Sequence, residues 1–545
     1  MERRRFLLLS GAAALAAGCS RLGLAELPTN VYQPGMHEGH LLRDHASLPP
    51  PSGELHTTVL IVGSGVAGLT AGWKLAREGF DDFLLLAGPE LYGNAAGGSF
   101  GNHLHYPRGA HYLPLPSRES SHVREMLAEF GVIQADPFGA RPEYDEAVLV
   151  HAPDERVFYR GEWQEGLIPT KGVAAAEQAE LKRFFAYTDA LKQRRGADGR
   201  RVFAIPIELS SQDPQWTQLD RLTLQSWLQQ QDYRSAVLHR YLDYCCRDDF
   251  GAGYAAVSAW AGLHYFAARA GQARNAAEGA VLTWPDGLNP LARQLLARIK
   301  QPPAKSGLPQ TRVQPGFAIH LRETPNGVEA LCGQITAQGL KTFTINAKRA
   351  ICAMPTHVAA HVVERIEQYG FDPAIHTPPH AAWVVSNFLL NGFPAEEAGV
   401  PLAWDNVVHG GAGLGYVVST HQDITWAPPA QTVFSAYQVL SNSSPQAARR
   451  WLQQASRDEL YQQAVCDLNS VYGSRLRQHA TELEITVRGH AMASPLSGFL
   501  SNRGLHALRT VDGKLLFAHA DLSGFSVFEE ASWWGYRAAL RVLGG

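Results

Sequence analysis

The stretch that decides the fold is VLIVGSGVAGLTAGWKLAREGFDDFLLL, Val59 to Leu86. Thr57 to Val62 is an almost continuous apolar run, as expected for a parallel strand covered on both faces. Gly63-Ser64-Gly65-Val66-Ala67-Gly68 follows at once. Leu69 to Glu78 then has helical spacing, Gly79 is a helix stop, and Phe83 to Leu86 reads as the next buried strand. Strand, glycine turn, helix and strand within about thirty residues form a dinucleotide-binding fingerprint. Gly63 permits the tight turn, Gly65 lets the backbone approach a pyrophosphate, and Gly68 allows close helix–strand packing. The helix start adds unpaired N–H groups for phosphates. The acidic residue that usually receives the adenosine ribose is missing: the strand ends in Ala87-Gly88, and Glu90 is the nearest candidate. No arginine stands nearby for a 2′-phosphate. A tightly held FAD tolerates that loss better than a nicotinamide cofactor, so FAD is the expected dinucleotide.

Working outward, 545 residues are too many for one compact core, and two or more domains are expected. A net charge of −3 with interspersed signs offers no basic stripe, so no nucleic-acid partner is expected. Arg3-Arg4-Arg5-Phe6-Leu7 before the apolar run Phe6–Gly18 resembles a twin-arginine export signal, implying the twin-arginine machinery as a partner. The run is shorter than the roughly 20 residues a membrane-spanning helix needs. Leu15 to Cys19 resembles a lipobox, with Ala16 where a larger aliphatic residue is usual, so Cys19 is a candidate lipidated membrane tether. The expected location is the periplasm or cell envelope. Residues 19–55, rich in Pro and Gly, read as a linker: a tether or a strap over the surface. Cys245, Cys246, Cys332, Cys352 and Cys466 show neither disulfide-framework nor metal spacing. His103-x-His105 has no third ligand in pattern, so no metal is expected.

The distal segment GKLLFAHADLSGFSVFEEASWWGYRAALRVL, Gly513 to Leu543, pairs a short strand and Asp521 with a terminal helix. Phe517–Asp521 and Gly535–Ala539 resemble the closing segment of the FAD-dependent flavin amine oxidase superfamily, which includes monoamine and polyamine oxidases and phytoene-desaturase-like enzymes. The resemblance implies that Asp521 binds the pyrophosphate–ribityl part of FAD and that the Val527 and Phe528 backbone faces the flavin N1/C2 edge. By the same resemblance, Gly97, Gly98 and Ser99 lie beside the phosphates and Gly109, Ala110 and His111 form a flavin-contact turn. Val313 would hold adenine through its backbone. Trp284–Gly287 and Ala350–Pro355 also fit in order, so the likeness runs over residues ~57–545 apart from two long insertions.

The expected fold is α/β: a Rossmann-like FAD-binding domain of the two-dinucleotide-binding type with an inserted α+β substrate domain. The FAD domain takes 56–115, 275–355 and 510–545, the substrate domain 116–274 and 356–509, and the export signal 1–18. The expected function is exported FAD-dependent oxidoreduction, amine-oxidase-like, with hydride passing from a small organic substrate to flavin and on to O2 or an envelope electron acceptor. The stretch His380 to Pro394 lacks the lysine that amine oxidases of this family often place near the flavin. That departure keeps a phytoene-desaturase-like desaturase or isomerase, and a non-catalytic flavin-binding envelope protein, as alternatives. His490 and His111 are the candidate catalytic side chains. Trp260, His264 and Tyr265 read as core first and pocket lining second. His409–Gly413 imitates a lipase oxyanion loop, but no G-x-S-x-G nucleophile accompanies it.

Overall fold

The computed structural model describes residues 27–44, 47–299, 311–396 and 400–544; the expected export signal and Cys19 lie outside the described residues. A seven-stranded sheet carries the glycine fingerprint. Its order is Val313–Gln314, Phe83–Leu86, Glu54–Val62, Gly339–Cys352, Gly327–Thr336 and Phe317–Thr324, with Leu515–Phe517 also pairing with Gly339–Cys352. The pairings around Glu54–Val62 are parallel, and an antiparallel meander completes the sheet. Val59 to Val62 and Phe83 to Leu86 are buried throughout, as strands covered on both faces must be. The helix Val66–Arg77 starts three residues earlier than periodicity predicts, because Gly65 in extended conformation serves as its N-cap. It packs along the terminal helix Phe528–Gly544, where a Cβ on Gly535 would collide with the Ala67 carbonyl.

An eight-stranded sheet forms the second layer. Its order is Thr29–Tyr32, Ala480–Ala493, His380–Asn391, Gln431–Val439, Tyr416–Val418, Asp405–Val408, Glu155–Tyr159 and Glu162–Glu165. Helices including Ala175–Lys192, Ala236–Phe250 and Ala259–Ala268 build an apolar cluster of their own around Phe184, Leu242 and Trp260. Among the described residues, no helix is long and apolar enough to cross a membrane.

The segment read as a linker is structured in part. Thr29–Tyr32 adds an edge strand parallel to Ala480–Ala493, and Met36–Arg43 forms a helix. Thr29 and Val31 are β-branched and suit a pleated edge, but the strand is defined by its pairing with residues 483–486, and the Pro and Gly around it masked the weak local signal. The strands Glu54–Val62, Gly339–Cys352 and Leu515–Phe517 run in one direction, and their carboxyl ends release the Gly63 turn, Ala353–Pro355 and His519–Asp521 side by side. In open α/β sheets ligands bind outside these ends.

Candidate active site

A cavity of about 790 Å³ extends from the carboxyl ends of these strands to the second sheet. At the nucleotide end its wall includes Gly63, Ser64, Gly65, Val66 and Ala67. Gly63 has φ +110°, and a Cβ there would stand 2.8 Å from the Ala353 carbonyl oxygen, so only glycine makes this turn without strain. A Cβ on Gly65 would meet nothing within 4 Å, and no side chain caps the helix behind it. Open space before uncapped N–H groups is what an approaching phosphate requires. Gly68 is not on the wall; its Cα packs against the Gly63 carbonyl and Ala353.

Other expected cofactor contacts divide. Glu90, Gly109, Ala110, His111, Asp521, Val527 and Phe528 all line the cavity. Gly97, Gly98 and Ser99 do not: they form one arm of a hairpin with Leu104–Pro107, and Gly98 lies under the Tyr106 ring. Gly93, Asn94 and Ala95, a few residues earlier, stand on the wall instead. Val313 pairs with Leu85 and is off the wall, where Phe317 and Ala318 stand. Glu90 is on the wall but both its oxygens are engaged by Arg488, at 2.8 and 3.1 Å, so the carboxylate expected at the ribose is already paired. The helix Met36–Arg43 places another carboxylate, Glu38, on the wall, with no ion pair among the described residues.

Asp521 is fully buried. Its Oδ2 accepts from Thr356 N at 2.8 Å and Thr356 Oγ1 at 2.9 Å, and lies 2.9 Å from His380 Nε2. Burial alone would raise this carboxyl, but His380 and His519 outweigh it and hold it well below the usual carboxylate range. Its other oxygen, Oδ1, lies 3.2 Å from His519 Nδ1, but that nitrogen accepts from Asp521 N at 3.1 Å and so does not donate to it, leaving Oδ1 without a donor. A buried, unsatisfied acceptor on a cavity wall suits a ligand hydroxyl. His357, His380 and Asp521 bring their ligand atoms within 4.8 Å of one another, a juxtaposition that sequence spacing could not disclose. Within the group His380 Nε2 and Asp521 Oδ2 are already paired with each other, whereas His357 Nδ1 and Asp521 Oδ1 have no hydrogen-bond partner.

The two candidate catalytic histidines fall into different neighbourhoods. His490 stacks on His357 with ring centroids 4.3 Å apart and so belongs to the histidine group around Asp521. Burial, reinforced by Arg449 and His380, lowers it to about 3. His111 lies among aromatic rings, 4.4 Å from Tyr437 and 5.8 Å from Trp404, and burial lowers it to about 3 as well. Both are neutral near pH 7, and both are weak bases. Trp260 is core, while His264 and Tyr265 reach the cavity wall. The loop His409–Gly413 is no oxyanion hole, since Gly413 and Gly415 donate their N–H groups to Asp467.

Beyond His111 stands a group of carboxyls that no motif announced: Asp248 and Asp249 on the cavity wall, and Asp405 and Glu155 off it. Asp248 and Asp249 occupy the last turn of Ala236–Phe250, at the negative end of the helix dipole, and both line the cavity. Asp249 pairs with Arg269, whose guanidinium lies 4.0 Å over the Tyr265 ring. Asp405 and Glu155 are register partners across two parallel strands. Burial, then Asp249, pushes Asp248 up to about 7, and burial, then Asp154, pushes Glu155 up to about 7. Asp405 is raised well above its ordinary value by burial, then by Glu155 and Asp248. None of Asp248, Asp405 and Glu155 has an ion pair among the described residues. The surrounding rings include Tyr112, Tyr244 and Tyr437.

Comparison with known proteins agrees with this architecture. The family model described as NAD(P)-binding Rossmann-like domain matches residues 61–130. No curated protein matches the sequence. Among solved structures, putrescine oxidase bound to putrescine is similar with a TM-score of 0.62 and 14% identity, over 90% of this chain and 100% of that one. Cyclohexylamine oxidase from Brevibacterium oxydans gives 0.57 and 15% over 90% and 99%, and the CLA-producing fatty acid isomerase from P. acnes gives 0.55 and 16% over 89% and 98%. The chain therefore has the mixed α/β, Rossmann-containing fold of these proteins.

Proposed function

We propose that this chain is an FAD-dependent oxidoreductase that oxidises a small cationic amine, with a diamine as the best-fitting substrate. The observation that carries the reading is Asp248, a half-buried carboxyl without an ion pair among the described residues, on the cavity wall at its aromatic end, with Asp405 and Glu155 off the wall but adding to the same negative field. Placing like charges together in a low-dielectric site is costly unless a cation joins them. A substrate ammonium supplies that cation, and tyrosine and tryptophan rings add cation–π attraction. Putrescine, the ligand of the similar oxidase, carries two such groups. A fatty acid would bring its carboxylate to a wall that already carries Asp248 and Asp249, which disfavours the isomerase reading.

The residues present fit FAD. Gly63–Ala67 and the start of Val66–Arg77 would hold the phosphates, Asp521 Oδ1 would accept from a ribityl hydroxyl, and Val527–Phe528 would face the ring system. When bound, the flavin supplies the hydride acceptor, and the protein binds, orients and shields the substrate. Asp248 would anchor the distal ammonium, with Asp405 and Glu155 adding to the field from off the wall, Tyr437 and His111 would confine the reacting carbon, and neutral His111 would hold no competing charge. The start of Phe528–Gly544 offers backbone N–H groups where negative charge accumulates on reduction. We further propose export to the periplasm or envelope, a tether through Cys19, and reoxidation by O2 or an envelope acceptor.

Anaerobic mixing of the purified yellow protein with putrescine, a monoamine and a fatty acid tests the proposal. Bleaching of the flavin band by the diamine at far lower concentration than by the monoamine is the expected result. A band untouched by any amine would sink amine oxidation, and protein that neither carries nor takes up FAD would sink the cofactor assignment.

A further inference from the structure

Of the large apolar side chains exposed on the described surface, the two most exposed stand two residues apart: Ile424 at 81% and Trp426 at 107%. They project from loop 423–430, Asp-Ile-Thr-Trp-Ala-Pro-Pro-Ala. The loop has a firm base. Asp423 N donates to Thr420 O at 3.1 Å, Thr425 Oγ1 to Ala427 O at 2.8 Å, and Gly392 N to Ala430 O at 2.8 Å. Pro428 and Pro429 restrict the backbone further. The chain thus holds an indole and a branched aliphatic group largely out in water.

We propose that loop 423–430 docks the protein on a lipid surface, with Ile424 and Trp426 entering the headgroup region. Tryptophan combines an apolar body with a polar N–H and is enriched at membrane–water boundaries. Strand register locates the loop relative to the N-terminal segment. Gln431 is level with Asn391, Leu390 with Ala480, and Leu483 with Thr29, so the loop and the start of the Thr29–Tyr32 strand emerge from the same end of the eight-stranded sheet. Three strand spacings separate them laterally, about 14 Å. From Leu27 back to Cys19 is a reach of at most about 28 Å, and before Cys19 the sequence carries the apolar run Phe6–Gly18. Exposed Arg477, on the helix Ser474–His479 that leads into Ala480, adds a cation at this end for anionic headgroups.

A tether limits distance but does not choose which face meets the bilayer; the loop does. The cavity wall takes residues 487–492 from the opposite end of Ala480–Ala493, so docking by the loop turns the nucleotide cavity away from the lipid.

The test uses the full chain with Cys19→Ser, which removes any acyl anchor, floated with vesicles of phosphatidylethanolamine and phosphatidylglycerol. Flotation is expected, and the double variant Ile424→Ser/Trp426→Ser should lower vesicle affinity about tenfold, equivalent to about 1.4 kcal/mol, with an unchanged thermal transition. In the unsubstituted loop, brominated acyl chains should quench tryptophan emission more strongly than in Trp426→Phe, a reading independent of how the double variant folds. Equal flotation of both chains, absence of flotation, or equal quenching overturns the proposal. A wild-type dimer that the double variant splits, seen by light scattering, assigns the loop to self-association instead.

Discussion

Asp248 stands on the cavity wall while Asp405 and Glu155, register partners on a parallel ladder, stand off it, and the substrate reading stands or falls with Asp248. Asp248→Asn should raise KM for a diamine about tenfold, about 1.4 kcal/mol of binding, and Asp405→Asn by less, with kcat little changed and monoamine kinetics nearly untouched. Steady-state kinetics on matched di- and monoamines separates this from a general loss of structure. At the other end of the cavity, Glu90 is paired with Arg488 while Glu38 is not. Glu38→Gln should therefore weaken FAD uptake by apoprotein, followed by flavin fluorescence. Glu90→Gln should act mainly on stability by leaving Arg488 without its partner. Sequence spacing pointed to Glu90 because it follows the strand; Glu38 comes from a segment whose composition resembled a linker.

Elements reach this site by close approach. Helices Val66–Arg77 and Phe528–Gly544 touch where Gly535 meets the Ala67 carbonyl, so one contact ties the first glycine turn to the last helix. Gly535→Ala must push these helices apart, at a cost of about 1–3 kcal/mol, and should loosen FAD as it lowers Tm. Thermal melts with and without added FAD check this, the gap between them shrinking in the variant. The strand Phe83–Leu86 and the fingerprint helix were legible because apolar runs and glycines are local signals. The strand Thr29–Tyr32 was not, since four residues at a sheet edge acquire their state from the partner strand. The hairpin Gly97–Phe100 shows the converse: its glycines resembled a phosphate loop, yet Gly98 lies against the Tyr106 ring and Gly97 against Asp286 and Asn289.

For the whole molecule, the unpaired carboxyls give a pH signature. Asp248 and Glu155 are raised to about 7 and Asp405 is raised too, so in the ligand-free protein these groups favour the folded state at low pH. That contribution is fully present below the ordinary carboxylate pKa and is lost as pH rises through about 7. Ligand-free protein should lose stability from these groups across that interval, and a diamine should restore it, as melts with and without ligand would show. Affinity for a bis-quaternary diammonium ion, which cannot itself titrate, should rise with pH over the same range; calorimetry showing a flat profile would remove these groups from substrate binding. The sequence alone determined the Rossmann-like unit, its glycine turn and the resemblance at the closing helix, because each is written in neighbouring residues through strand burial, helix spacing and turn chemistry. Only tertiary structure decided which carboxylates are paired, which face the cavity and which stand together unpaired. Asp248, Asp405 and Glu155 lie on three distant segments, and their shared property, a raised carboxyl with no ion pair among the described residues, exists only once the chain has folded.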